Sequence, residues 1–456
     1  MDEASIQITK GVKDLLGDPK KAILRISVPM MIGMFILLIY QLADGFWIAG
    51  LGADALAGVG LFFPFFLFMM AIGAGLGTGG SAAISRRIGE KNKKDADRTA
   101  VHAVIIGFIA GLLIMIFSFP LIDFIFFSMT SNKEVSIYAI EYGRILFFGA
   151  IIIIFSNVAN AILRGEGDAK KAMYGLIIGS FLNIFLDPIF IYYFNLGVSG
   201  AALATLLSLF ISAMFFVYWI FIKRNIYLNL TFKNFRFDKK IIREIFNVGL
   251  PASLGQLSVS LSIFLINIVV IINGGTDGVA IFTSGWRVVM VGVIPLLGLS
   301  PGVTAVTGAA FGEKNKEKLK QAYFYSIKIG LIVELAIASF IFIFAPQIAI
   351  MFTYVEDSFR IFNGLVDFLR ITCLYYLMIP FGVVVASMFR GIGKGLNSLI
   401  IILLRSIFLQ IFFAYLFGII LKFGLNGIWS GFVIGTAVAS IIAVIWAKLL
   451  FKTILE

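Results

Sequence analysis

The sequence predicts an all-α polytopic membrane protein, with twelve transmembrane helices in two pseudo-symmetric six-helix bundles. Three observations carry this reading. The 456-residue chain is 60% hydrophobic and only 14% charged, with a mean hydropathy of +1.01, where soluble domains are about 25% charged. Its apolar runs exceed about 20 residues, long enough to cross a bilayer and too long for barrel strands. The polar loops between the runs alternate in basic content.

Taken in order, the runs lie at about 22–49, 55–83, 100–128, 137–163, 172–193, 198–222, 243–272, 278–310, 321–350, 361–389, 396–421 and 426–451. The segment before the first is polar and of mixed charge, and the run itself is too long for a signal-peptide core. The first span is therefore expected to act as its own uncleaved signal. Basic residues crowd the N-terminus (Lys10, Lys13, Lys20, Lys21, Arg25) and every second loop, from Arg86, Arg87, Lys91, Lys93, Lys94 and Arg98 onward. The opposite loops carry Lys133, Arg360 and Lys422. The positive-inside rule then places both termini in the cytoplasm, in the cell membrane. The net charge of +12 is a topology signal toward anionic membrane lipid, with no nucleic-acid partner implied. One cysteine, Cys373, allows no intramolecular disulfide. One histidine, His102, builds no His-ligand metal site and reads as an interface residue.

The chain repeats itself. GEKNK at 89–93 returns at 312–316, Pro29 as Pro251, Pro120 as Pro346, and Arg164-Gly165 as Arg390-Gly391, at offsets of 222–226. Six spans separate the copies, so both halves have the same orientation. This is a parallel repeat, with a pseudo-two-fold along the membrane normal and a cavity between halves. The N-terminal bundle is taken as residues 1–225 and the C-terminal bundle as 226–456. The polar stretch 223–242 links them, with an interfacial piece expected near Phe232, Phe235 and Phe237.

The repeat also sorts the polar residues. Glu141 and Arg144 return as Asp367 and Arg370, and read as structural ion pairs. Asp44, Asn157, Asn160, Asn183, Asp187 and Thr205 have no twin in the second half. An acid inside hydrocarbon costs roughly 2.5–3.5 kcal/mol on insertion scales and is retained by pairing, protonation or an ion. Counted along their spans, Asp44, Asp187 and Thr205 fall at one level, roughly 10 Å inside the outer boundary. Asn183 and Asp187 share a helix face at i, i+4, as do Tyr40 and Asp44. Pro188 leaves the Ile184 carbonyl without its helical donor. The alternative is that these groups only hydrogen-bond helices together. The glycines at 73, 75, 77, 79 and 80 read as close helix packing. Glu334 and Arg287 could pair or gate. The Asn229 sequon falls in a cytoplasmic loop and is discounted. An intramembrane lipid transferase would need acids clustered with His or a metal, so no enzyme is expected. A channel is the other alternative.

Several motifs carry a resemblance over nearly the whole chain: Pro29, LeuAlaAspGlyPheTrp at 42–47, the GlyGluLysAsnLys loops, ArgGlyGluGlyAspAla at 164–169 and AsnIlePheLeuAspPro at 183–188. In these the chain resembles the multidrug and toxic compound extrusion (MATE) family, in the archaeal and bacterial branch with its coupling acids in the N-terminal half. The resemblance implies a V-shaped pair of bundles, without cofactor, exporting lipophilic organic cations against inward Na⁺ or H⁺. Lipid or polysaccharide-precursor flippases of the same superfamily are the runner-up. It implies a coupling-ion site at Asp44, Asn183, Asp187 and Thr205, with a helix carbonyl such as that of Ala201. The substrate cavity is assigned to Tyr40, Gln41, Tyr142, Asn157, Asn160 and Ser180, and a hinge to Pro29. Another branch carries an acid shortly after GlyLeuPro at 249–251, where this chain has Gln256. The oxygen donors suit both ions, with Na⁺ favoured because Asn183 and Thr205 are better ion ligands than proton acceptors. A monomer is expected.

Overall fold

The computed structural model describes residues 8–455, apart from 224 and 234. Both chain ends lie outside the described residues, and with them the placing of the termini. Chain order is α1 (Lys10–Leu16), α2 (Pro19–Ala49), α3 (Ala53–Gly89), α4 (Lys93–Ser118), α5 (Ile122–Met129), α6 (Lys133–Phe148), α7 (Ala150–Gly165), α8 (Ala169–Pro188), α9 (Gly197–Val217), α10 (Lys239–Gly312), α11 (Lys316–Phe352), α12 (Phe362–Gly391), α13 (Gly395–Leu403), α14 (Gln410–Tyr415) and α15 (Gly424–Leu455). Among the described residues there is no β-strand.

Ten helices among the described residues are long and apolar enough to cross a membrane, and α6 with α7 forms one more span, bent by 53°. The bend sits at Gly149, where a Cβ would collide with Leu206 of α9. α10 has 74 residues, about 110 Å of helix, and cannot cross only once. It reverses at Gly275, whose φ of 55° is the left-handed backbone that glycine adopts without a side-chain clash. Among the described residues this makes twelve crossings.

The repeat is visible as geometry. Lys91 and Lys314, at the same place in the two GEKNK loops, both take positive φ, 58° and 54°. The following asparagines both cap helices, Asn92 accepting from the Asp95 N–H at 3.1 Å and Asn315 from the Lys318 N–H at 3.0 Å. Contacts between halves are reciprocal. A Cβ at Gly89 would meet Ala309, and one at Gly312 would meet Arg86. Gly79 meets Gly249 while Gly302 meets Ser27; Gly75 meets Ser253 while Gly298 meets Met31. Patch i touching j while j's twin touches i's twin is the signature of a two-fold axis.

All these contacts lie toward the end carrying the basic loops. There the two halves share one core, including Ile26, Ile84, Ile245 and Val303. At the far end the first half has its own core, from Ile48 and Phe62 to Ala202. Gly45, Gly52 and Gly60 there face open space, while Gly50 and Gly58 pack on Tyr192 and Tyr138 of the same half. The halves are thus packed at the basic end and parted at the other, as a V.

Two sequence expectations are corrected. Arg144 pairs with Asp123 at 2.8 Å, not with Glu141, because α5 turns back and brings Asp123 beside it. Arg370 has no ion pair to Asp367 among the described residues; its guanidinium lies 5.6 Å from the Phe342 ring, and Asp367 accepts from Asn426 at 3.4 Å. His102 is more than an interface residue. It is buried, its Nδ1 contacts the Arg98 carbonyl at 2.7 Å, and its Nε2 accepts from the Asp238 N–H at 3.0 Å. It therefore clips the end of the linker to α4. Phe235 packs on the His102 ring, while Phe232 and Phe237 stay exposed, as an interfacial stretch would.

Candidate functional site

The site is built in the far half of the first bundle, where α2, α6, α8 and α9 meet. α8 starts at the Asp168 cap, whose carboxylate accepts from the Lys171 N–H at 3.2 Å. The helix then runs to Pro188 and loosens into a π-helical turn, Ile189–Tyr193. Asn183 and Asp187 lie one turn apart on its inner face and are both buried.

The Asn183 amide orients the group. Its Nδ2 donates to Asp187 Oδ1 at 3.1 Å and to Thr205 Oγ1 of α9 at 3.2 Å. The Asn183 Oδ1 acceptor has no partner. Asp187 Oδ2 and Asp44 Oδ1 are likewise buried and unpartnered. The Asp44 carboxyl from α2 neighbours Asp187. Three neighbouring residues thus each hold an unpartnered buried acceptor oxygen, and buried polar atoms without partners cost stability.

Aromatic residues wall this group. Tyr142 of α6 lies beside Thr205 and Asp44, and Tyr40 neighbours both acids. Outward of the acids, the Tyr192 hydroxyl donates to the Trp47 carbonyl at 2.6 Å. The two rings meet edge to face at 6.2 Å. This bridge ties α2 to the end of α8 and was not anticipated; two aromatics just beyond the two acids, near the membrane boundary, were the available signal.

Not every expected residue belongs here. Asn160 donates to the Ala172 carbonyl at 2.8 Å. Ala172 precedes Asp187 by fifteen residues of α8, about 22 Å, so Asn160 joins α7 to α8 near the basic end. Asn157 donates to the Ile153 carbonyl at 2.9 Å and faces Met70 of α3. Neither contacts the acids. Ser180 is buried two turns inward from Asp187, and Gln41 is exposed. Ala201 is buried within regular α9, where its carbonyl is the helical acceptor for the Thr205 N–H. Pro29 is buried in an unbroken α2, beside Ser27 and Met31, the residues that touch the second half.

Among the described residues no group of three or more His, Cys, Asp or Glu could hold a metal ion. The site has two carboxylates and neutral oxygens, a donor set for a monovalent hard cation or a proton. Elsewhere, Glu334 is buried with both oxygens unpartnered. Arg287 is exposed, and the two do not pair.

The sequence profile of the MatE family matches residues 29–189 and 251–416. The chain is 26% identical over 438 residues to the multidrug export protein MepA of Staphylococcus saprophyticus, covering 94% of each. Its fold matches a multidrug resistance MATE family transporter of the MOP superfamily in an outward-facing conformation, with a TM-score of 0.95 and 50% identity over 98% of this chain and 99% of that one. It matches a MATE in the straight conformation equally, with a TM-score of 0.95, 49% identity and the same coverage.

Proposed function

The chain belongs to the MatE family, and on that footing we propose that it is a secondary active multidrug antiporter, exporting lipophilic organic cations in exchange for inward Na⁺ or H⁺. The observation that supports this is that Asp44 Oδ1, Asp187 Oδ2 and Asn183 Oδ1, on three neighbouring residues of the first bundle, are buried and unpartnered. A cation or a proton satisfies them.

The basic end faces the cytoplasm, so the cleft opens outward, with the first six spans as the ion-binding bundle and the last six as its partner. Ion and substrate compete for the two carboxylates. Loading with the ion neutralises the pair and draws α2 toward α8, with Pro29 as the hinge: its missing N–H frees one carbonyl at the turn where α2 touches the second half. Such a ligand moves the equilibrium only through unequal affinity for two states. Carboxylates that change charge on loading provide that inequality. A monomer in membrane lipid suffices, since ion site and cleft lie within one chain.

Na⁺ is the favoured ion, coordinated by Asp44, Asp187, Asn183 and Thr205. The test is cation efflux from proteoliposomes under a Na⁺ gradient at equal pH, then a pH gradient without Na⁺. Thr205→Val and Asn183→Leu should weaken Na⁺-driven flux more than H⁺-driven flux. Equal loss under both gradients removes the coordination idea. Absence of Na⁺-driven flux in the unaltered protein makes it a proton antiporter.

A further inference from the structure

The opposite wall of the cleft carries a charge that the antiport reading does not use. Arg287 sits within the second arm of α10, in a membrane-spanning segment. Its side chain is exposed and has no ion pair or hydrogen bond among the described residues. A guanidinium at such depth is costly unless it meets an anion or water.

Helical periodicity shows where it points. Gly298 and Gly302 of the same arm pack on Met31 and Ser27 of α2, so their face is the one turned toward the first half. Arg287 lies about three turns outward from Gly298 on that face, and Ser284, Thr283 and Thr276 follow along it. On the first arm, Ile271 lies about five turns from Ser253, which touches Gly75 of α3. Both faces therefore line the cleft where it has opened. They bound a cavity of about 420 Å³, with apolar walls from Ile271 and Val279, the hydroxyls of Thr276, Thr283 and Ser284, and the Arg287 guanidinium.

The Gly298–Met31 contact also gives a common depth mark. Measured outward from it, Arg287 is about 16 Å along α10 and Asp44 about 20 Å along α2. The two opposite charges thus stand within about one helical turn of the same level, one in each half.

The geometry points to an anion subsite at Arg287, flanked by Thr276, Thr283 and Ser284, that takes the carboxylate of a zwitterionic amphiphile whose cationic part occupies the first bundle. This extends the antiport reading and rests on it for the direction of transport only. The guanidinium supplies a charge-assisted, bidentate contact. The hydroxyls add donors, and the apolar walls take the ring system.

Rhodamine 6G and rhodamine 19 test this, because they differ only in an ethyl ester against a free carboxylate. Binding to the purified full chain is read by fluorescence anisotropy. Arg287→Gln should weaken rhodamine 19 at least about tenfold while rhodamine 6G stays within about twofold, and Arg287→Lys should keep part of the preference, as loss of a charge-assisted contact predicts. Unchanged rhodamine 6G binding shows that the variants are folded. Parallel loss for both dyes, or no loss for either, overturns the subsite. Proteoliposome efflux of rhodamine 6G is the separate control: its absence defeats the antiport reading, while the binding comparison still decides the subsite.

Discussion

Asp44 and Asp187 are the residues on which transport should turn. Asp44→Asn keeps the shape of the side chain and removes its charge. Coupled export of a fluorescent cation in proteoliposomes should then fall to background, while thermal stability holds or rises, since an unpaired charge is removed. Export at the unaltered rate would remove Asp44 from the mechanism. Glu166 is a second buried acid with a different task. Its Oε2 accepts from the Tyr227 and Leu228 N–H groups at 3.1 and 3.2 Å, pinning the linker to the end of α7. Burial pushes its carboxyl up to about 8, with Asp168 adding to the rise and the two N–H groups and Lys171 opposing it. A raised carboxyl pKa means that its contribution to stability is complete below the ordinary carboxylate range and is lost as pH rises through about 8. The melting temperature should therefore fall more steeply between about pH 5 and 8 in the unaltered protein than in Glu166→Gln. Parallel profiles would mean that Glu166 is not the titrating tether.

At the level of elements, topology rests on the basic loops. Asn92 and Asn315 are poor labelling sites, because both cap helices and removing a cap costs about 1 kcal/mol. Lys94 and Glu317, one turn or less further on, are exposed and cap nothing. Cysteines there, in a Cys373→Ala background, should react with an impermeant maleimide only from the cytoplasmic side. Reaction from outside would reverse the orientation. The Arg144–Asp123 pair is half exposed at both partners, 50% and 52%. Such pairs contribute about 0–1 kcal/mol, so its removal should leave α5 and α6 in place.

Across the whole molecule, the reciprocal glycine contacts hold the V shut at the basic end. A Cβ at Gly79 would run into the Ile245 carbonyl and the Gly249 backbone, which cannot yield as a flexible side chain can. Gly79→Ala should cost about 1–3 kcal/mol of stability, as overpacking does, and depress transport with it. Gly60 faces open space within a regular helix. Gly60→Ala should be neutral, or stabilise by about 0.5–1 kcal/mol through reduced chain entropy. Thermal denaturation of the two variants side by side checks this, and equal effects would mean that the basic-end contacts do not close the molecule.

Much of this was legible in one dimension. Hydropathy, loop charge and an offset of 222–226 residues determine the spans, their likeness and the parallel repeat, because a bilayer reads length, apolarity and charge directly. Asp44, Asn183, Asp187 and Thr205 were separable because none has an acid or matching polar twin: Asp44 maps to Ile266 or Asn267, Asn183 to Leu409, Asp187 to Phe413 and Thr205 to Gly431 or Phe432. Glu166 could have been found the same way, since Ile392 stands at its place in the second half. What only the tertiary structure decided is which of these side chains meet. Asn157 and Asn160 are also polar and without a twin, yet they join helices instead of facing the acids. Arg144 chose Asp123 over the nearer Glu141. The Tyr192–Trp47 bridge and the face that Arg287 presents to the cleft depend on how two helices are rotated about their axes. Sequence spacing sets the face of one helix, and only packing against the others sets what that face touches.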